Sequence, residues 1–105
     1  MTTAFDARKE ELAEHLRKAV IVQRTRDSVV MLRDELERAR KKFPQGLHLV
    51  PALMEEIGEL ARELLQKGNT EHARKEAIQV ACVAMRIASE GCPEFDNLDD
   101  EARQL

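Results

Sequence analysis

A chain of 105 residues with 43% hydrophobic and 35% charged side chains, four glycines and three prolines has the balance of one helical domain and is too apolar for a disordered segment. Its formal net charge of −3 gives no overall attraction to a polyanion, and its three aromatic residues, all Phe, are too few for a β-sandwich or for a base-stacking platform. The longest apolar run falls far short of the ~20 residues that cross a bilayer, and Asp6, Arg8, Lys9, Glu10, Glu11 and Glu14 leave nothing resembling a signal peptide. The expectation is a cytoplasmic protein with neither nucleic acid nor membrane as a partner.

In chain order, Thr3 suits the N-cap of a helix from Asp6 to about Arg24, with Leu12, Leu16, Ala19 and Val20 on one face. A second helical stretch, from about Asp27 to Lys42, carries Val30, Met31, Leu36 and Ala39 and is ended by Pro44. Residues 24–28 read either as a break or as a polar turn of one long helix. Arg38, Arg40, Lys41 and Lys42 fit a helix C-terminus, where cations complement the dipole, with phosphate contact as the alternative. Gln45 to Val50 is a connector, and Pro51 fits the first turn of the next helix, which runs to about Gln66 with Gly68 as its cap. Asn69 or Thr70 caps the last helix, which continues to about Glu90 and stops before Gly91-Cys92-Pro93. Cys82 and Cys92 match neither a zinc site nor a disulfide framework; the first reads as a small core residue and the second as a loop thiol. Residues 1–92 are the expected domain, and residues 93–105 an acidic, mobile tail.

Two readings compete for the helix after Pro51. Leu53, Ile57, Leu60 and Leu64 form an apolar face, which leaves Glu55, Glu56, Glu59 and Glu63 as a solvated acidic stripe. Alternatively, folding the last two helices into an antiparallel hairpin about Lys67-Gly68 sets Glu59 across from Glu76 and Glu56 across from Gln79. Glu76 shares its arc of the last helix with Val80, Val83 and Ile87, where a lone carboxylate is costly unless protonated, paired or bound to a metal. Three carboxylates gathered there call for a divalent cation. From Ala77 to Ala88 that helix is apolar over most of its circumference, which predicts an all-α, four-helix-type bundle whose hairpin core is completed by dimerisation.

Over Lys42 to about Ile87 the chain resembles the MazG-like family of all-α nucleoside triphosphate pyrophosphohydrolases. The resemblance rests on Lys42-Phe43-Pro44-Gln45, on His48, on Glu55-Glu56-Ile57-Gly58-Glu59, and on Glu76 to Ala84. The family signature is an EExxE helix followed by an ExxD helix whose acidic residues hold magnesium. The resemblance therefore implies magnesium, with manganese as a substitute, on Glu56, Glu59 and Glu76, and hydrolysis of a nucleoside triphosphate to a monophosphate and pyrophosphate. Gln79 stands where the signature has Asp and would offer a neutral oxygen ligand or a hydrogen bond to water on the ion. Glu55 matches the leading Glu of the motif, as a ligand or an outer base. Lys42, Arg38 and His48 become candidate substrate contacts, with a solvated loop as the ordinary reading of His48. Two other readings fit: a relative acting on dUTP or phosphoribosyl-ATP, and a catalytically silent helical dimer that binds a nucleotide or a protein, for which Gln79 is the main argument. A homodimer, or an oligomer built from dimers, is expected throughout.

Overall fold

The computed structural model describes residues 3–44, 48–66, 70–91 and 102–104, and these contain helix and no strand. Three long helices account for nearly all of them: α1 (Ala4–Lys42), α2 (Leu49–Leu65) and α3 (Thr70–Glu90). None of the helices among the described residues is long and apolar enough to cross a membrane. The proposed Gly68 cap, the Lys67-Gly68 turn, the Asn69 cap, Cys92 and most of the tail lie outside the described residues.

The chain divides into two compact units, Met1–Val30 and Met31–Leu105. In the first, Thr3 caps α1 as its sequence position suggests. Its Oγ1 accepts the Asp6 amide at 3.1 Å, while its own amide and hydroxyl donate to Asp6 Oδ2 at 3.3 and 2.9 Å. The helix does not break at residues 24–28: the Gln23 amide bonds Asp27 at 3.0 Å and the Thr25 hydroxyl bonds the Ile21 carbonyl at 2.8 Å. The two helical stretches read before Pro44 are thus one element, α1. Leu12, Leu16 and Val20 are exposed within this unit.

In the second unit α2 and α3 pack on each other antiparallel, with Glu63 near the end of α2 3.9 Å from His72 Nδ1 near the start of α3. From Met31 onward α1 follows α3 in the same direction. Glu35 and Gln79 line the same cavity, and the Arg40 guanidinium reaches Ser89 Oγ at 2.9 Å and Glu90 Oε2 at 3.2 Å. Leu32, Glu35, Leu36 and Ala39 are the half-buried stripe that makes this possible.

The rotation of α2 departs from one of the two sequence readings. Its half-buried residues are Ala52, Leu53, Glu56, Glu59, Leu60 and Glu63, with Leu49 buried, so three glutamates of the acidic stripe face inward and Glu55 stays exposed. Ile57 and Leu64, expected to face the core, are outside at 44% and 62% exposure. The reason is that α2 carries two apolar stripes. Leu49, Leu53 and Leu60 border the glutamates, whereas Val50, Met54, Ile57, Ala61 and Leu64 lie about a third of a turn away and remain uncovered.

Arg86 is the charged residue that α3 buries, at 4% exposure. Its Nε and Nη2 donate to the Glu90 carboxylate at 2.7 and 2.9 Å, and Nη2 also donates to the Phe43 carbonyl at 2.7 Å. That clasp ties the end of α1 to the end of α3. Replacing the guanidinium by an apolar side chain of similar length leaves a carbonyl and a carboxylate short of a donor. Arg86→Met is therefore expected to lower stability by about 2–3 kcal/mol in urea unfolding; a variant within about 0.5 kcal/mol of wild type would show the clasp to be dispensable.

Candidate metal centre and adjoining cavity

Glu56 and Glu59 lie three residues apart on α2, so both project toward the facing helix, where Glu76 occupies the apolar arc of α3. One carboxylate oxygen from each of Glu56, Glu59 and Glu76 falls within 4.8 Å of the others, and all three residues are half-buried. Oε2 of Glu56 and Oε2 of Glu76 are buried with no hydrogen-bond donor. Two orphaned carboxylate oxygens at one point are the mark of a group that lacks either a proton or a cation.

The electrostatics carry the same message. Burial first, then the charges of Glu59 and Glu76, push the Glu56 carboxyl up to about 7. Burial and then Glu59 raise Glu76 as well. The donor set consists of hard oxygens, with no thiolate or imidazole among them, and suits magnesium or manganese better than zinc. The chain's own residues fit such an ion: Glu56, Glu59 and Glu76 would hold it.

Beside the cluster opens a cavity of about 670 Å³, reached by Glu56 and Gln79 on the acidic side. Ala39, Leu49, Ala52 and Val83 supply apolar wall, while Arg38, Lys42, His48 and Arg86 bring basic groups to it. Lys42 Nζ stands 5.5 Å from the Phe43 ring. His48 precedes α2 with φ 61°, a left-handed backbone uncommon for a residue with a side chain, and makes no side-chain cap. Every substrate-contact candidate named from the sequence thus borders one cavity with Glu56. Glu55 alone stands apart: it is exposed, is not in the carboxylate cluster, and acts on Glu56 through its charge.

Glu35 and Arg86 escaped the sequence reading although both line the cavity. Each carries the signal that exposed Glu76, a charge set among apolar neighbours at helical spacing. Partial burial opposes the Glu35 carboxylate, but Arg38 and Gln79 outweigh it and hold Glu35 below the usual range. Comparisons with protein-family models, with curated proteins and with solved structures each return no match to this chain.

The protonation chemistry has a definite sign. Glu56 and Glu76 bind protons more tightly in the folded chain, so their contribution to stability is full below pH 4.5; that of Glu56 is lost as pH rises through about 7, and that of Glu76 has the same sign. Glu35 and Glu90, held low, act with the opposite sign and only below pH 4.5. In EDTA the melting temperature is expected to fall between about pH 5 and pH 8, and magnesium should cancel the fall. A melting temperature independent of pH over that interval would contradict the clustered, desolvated carboxylates.

Proposed function

We propose that the chain is a magnesium-dependent nucleoside triphosphate pyrophosphohydrolase that works as a homodimer. The observation that carries the reading is the pair of orphaned, buried carboxylate oxygens on Glu56 and Glu76, beside a cavity lined with basic groups. A triphosphate is the kind of ligand such a site suits, because it brings several negative oxygens that a cation can share with the carboxylates. When bound, the ion supplies the positive charge that the three glutamates lack and draws the phosphate oxygens to them. Manganese is the expected substitute.

The remaining work falls to side chains. Glu56, Glu59 and Glu76 hold the ion, with the neutral Gln79 oxygen as a further donor. Arg38, Lys42 and His48 meet the phosphate charge from the other side of the cavity. The apolar wall of Ala39, Leu49, Ala52 and Val83 receives the less polar part of the nucleotide. Attack of water on the α-phosphorus forms a P–O bond as the bond to the α,β-bridging oxygen breaks; pyrophosphate leaves and the water proton passes to a base. Glu55, exposed and outside the carboxylate cluster, can receive that proton only through intervening solvent, as an outer base.

Glu59→Gln and Glu76→Gln keep shape and remove one charge. Each is expected to cut magnesium-dependent pyrophosphate release at least 100-fold across a panel of triphosphates, with unchanged helical content. In EDTA both variants should melt at or above the wild-type temperature because like-charge crowding is relieved. Wild-type rates in both variants would sink the assignment.

The dimer rests on the uncovered stripe of α2. Val50, Met54, Ile57, Leu64 and Leu65 are exposed together, and Leu49 and Cys82 are the only buried apolar residues among those described. A unit with so little core of its own gains most by burying that stripe against a second copy. Sedimentation of wild type at micromolar concentration should show no dominant monomer, and Met54→Glu should shift the population to monomer; a wild type that is fully monomeric and well folded would remove the shared core.

A further inference from the structure

Every residue of α1 from Ala4 to Asp27 is exposed within its unit. A helix with nothing packed on it is marginal in water, because helices in proteins owe most of their stability to burial of an apolar face. Such a face exists here. At about 100° per residue, Phe5, Leu12, Leu16, Val20 and Val30 fall in one arc, and each is between 47% and 75% exposed.

The polar residues in that arc are Lys9, Gln23 and Asp27. Gln23 Nε2 donates to Asp27 Oδ1 at 3.0 Å, whereas Lys9 has no partner among the described residues. Lys9 and Asp27 are the arc's only charges; they are opposite in sign, and each lies nine residues from Lys18. The other positions share that symmetry. Reversing the helix about residue 18 carries Lys9 onto Asp27, Leu16 onto Val20, Leu12 onto Gln23 and Phe5 onto Val30, each to within one residue.

We infer that residues 5–30 of α1 pair antiparallel with the same segment of a second copy, with Leu16 and Val20 at the centre and a Lys9 to Asp27 ion pair towards each end. A parallel pair would set Lys9 on Lys9 and Asp27 on Asp27, and like charges at facing positions are unfavourable. A lipid surface would leave the Asp27 charge in the apolar arc with nothing to answer it. A partner of another sequence would have to supply both an anion and a cation at this spacing; a second copy does so by symmetry. The flanks agree. Glu10 and Glu11 come alongside Arg24 and Arg26, within a stretch, residues 15–26, that holds four basic and no acidic side chains. The contact uses none of the α2 stripe, so it joins two of whatever species that stripe makes.

A charge exchange tests partner and orientation at once. Wild type, Leu16→Glu, Lys9→Glu, Asp27→Lys and an equimolar mixture of the last two are sedimented at about 100 µM, since a stripe with three polar positions makes a contact weaker than micromolar. Wild type should have about twice the mass of Leu16→Glu. Lys9→Glu and Asp27→Lys should each self-associate about tenfold more weakly than wild type, because each meets its own copy with like charges at both ends. Mixed, they restore both ion pairs between unlike chains, and the heavy species should return. The doubling is read against Leu16→Glu, so it is visible whether the species that doubles is the proposed homodimer or a single chain. A wild type no heavier than Leu16→Glu overturns the pairing. Single variants as heavy as wild type, or a mixture no heavier than its separate components, overturn the antiparallel register.

Discussion

The inward rotation of α2 is the constraint on which the rest depends. A helix with a leucine-bordered acidic stripe and a second, wholly apolar stripe has two faces that want cover, and only one can lie against α3. Here the face with Glu56, Glu59 and Glu63 does so. Two consequences are forced. Carboxylates are carried into a half-buried space where they raise one another's proton affinity, and Val50, Met54, Ile57 and Leu64 are left outside. In the proposed function a cation would answer the first and a second copy of the chain the second.

Helix α3 shows two solutions to the same electrostatic problem within four turns. Arg86 is more deeply buried than any other charged residue described, yet its hydrogen bonds are short, its charge is balanced by Glu90 and a further donor is taken up by the Phe43 carbonyl. Glu76 is shallower and has an orphaned oxygen. The satisfied arginine belongs to the architecture, and the unsatisfied carboxylate is the feature on which the proposed function rests.

What was legible in the sequence follows from range. The Thr3 cap, Pro51 in the first turn of α2 and the end of α3 at Glu90 depend on neighbours a few residues away, and the structure has all three. The meeting of Glu59 with Glu76 was legible because a short connection between helices leaves few registers. The inward face of α2 was not, since its acidic and apolar stripes are equally periodic and the choice is made by what packs on them. Glu35 and Arg86 were missed for a related reason. Helical spacing sets each charge among apolar neighbours but does not say what it meets across the fold: the cavity that Glu35 shares with Gln79, and the Phe43 carbonyl 43 positions from Arg86. The continuity of α1 through residues 24–28 lay between these cases: the sequence left a break and a polar turn of one long helix equally open, and side-chain bonds by Gln23 and Thr25 accompany the helix that persists.

Everything functional returns to whether the glutamate cluster exchanges protons for a cation. Calorimetric titration of magnesium into the wild-type protein at pH 7, repeated in two buffers of different ionisation enthalpy, counts the protons released on binding. With Glu56 poised at about 7 and Glu76 raised beside it, binding should release a substantial fraction of a proton per ion, and the release should shrink as pH is raised. Saturable binding with that proton release is the expected result; absence of binding, or binding with no proton exchange at any pH near 7, would contradict the account.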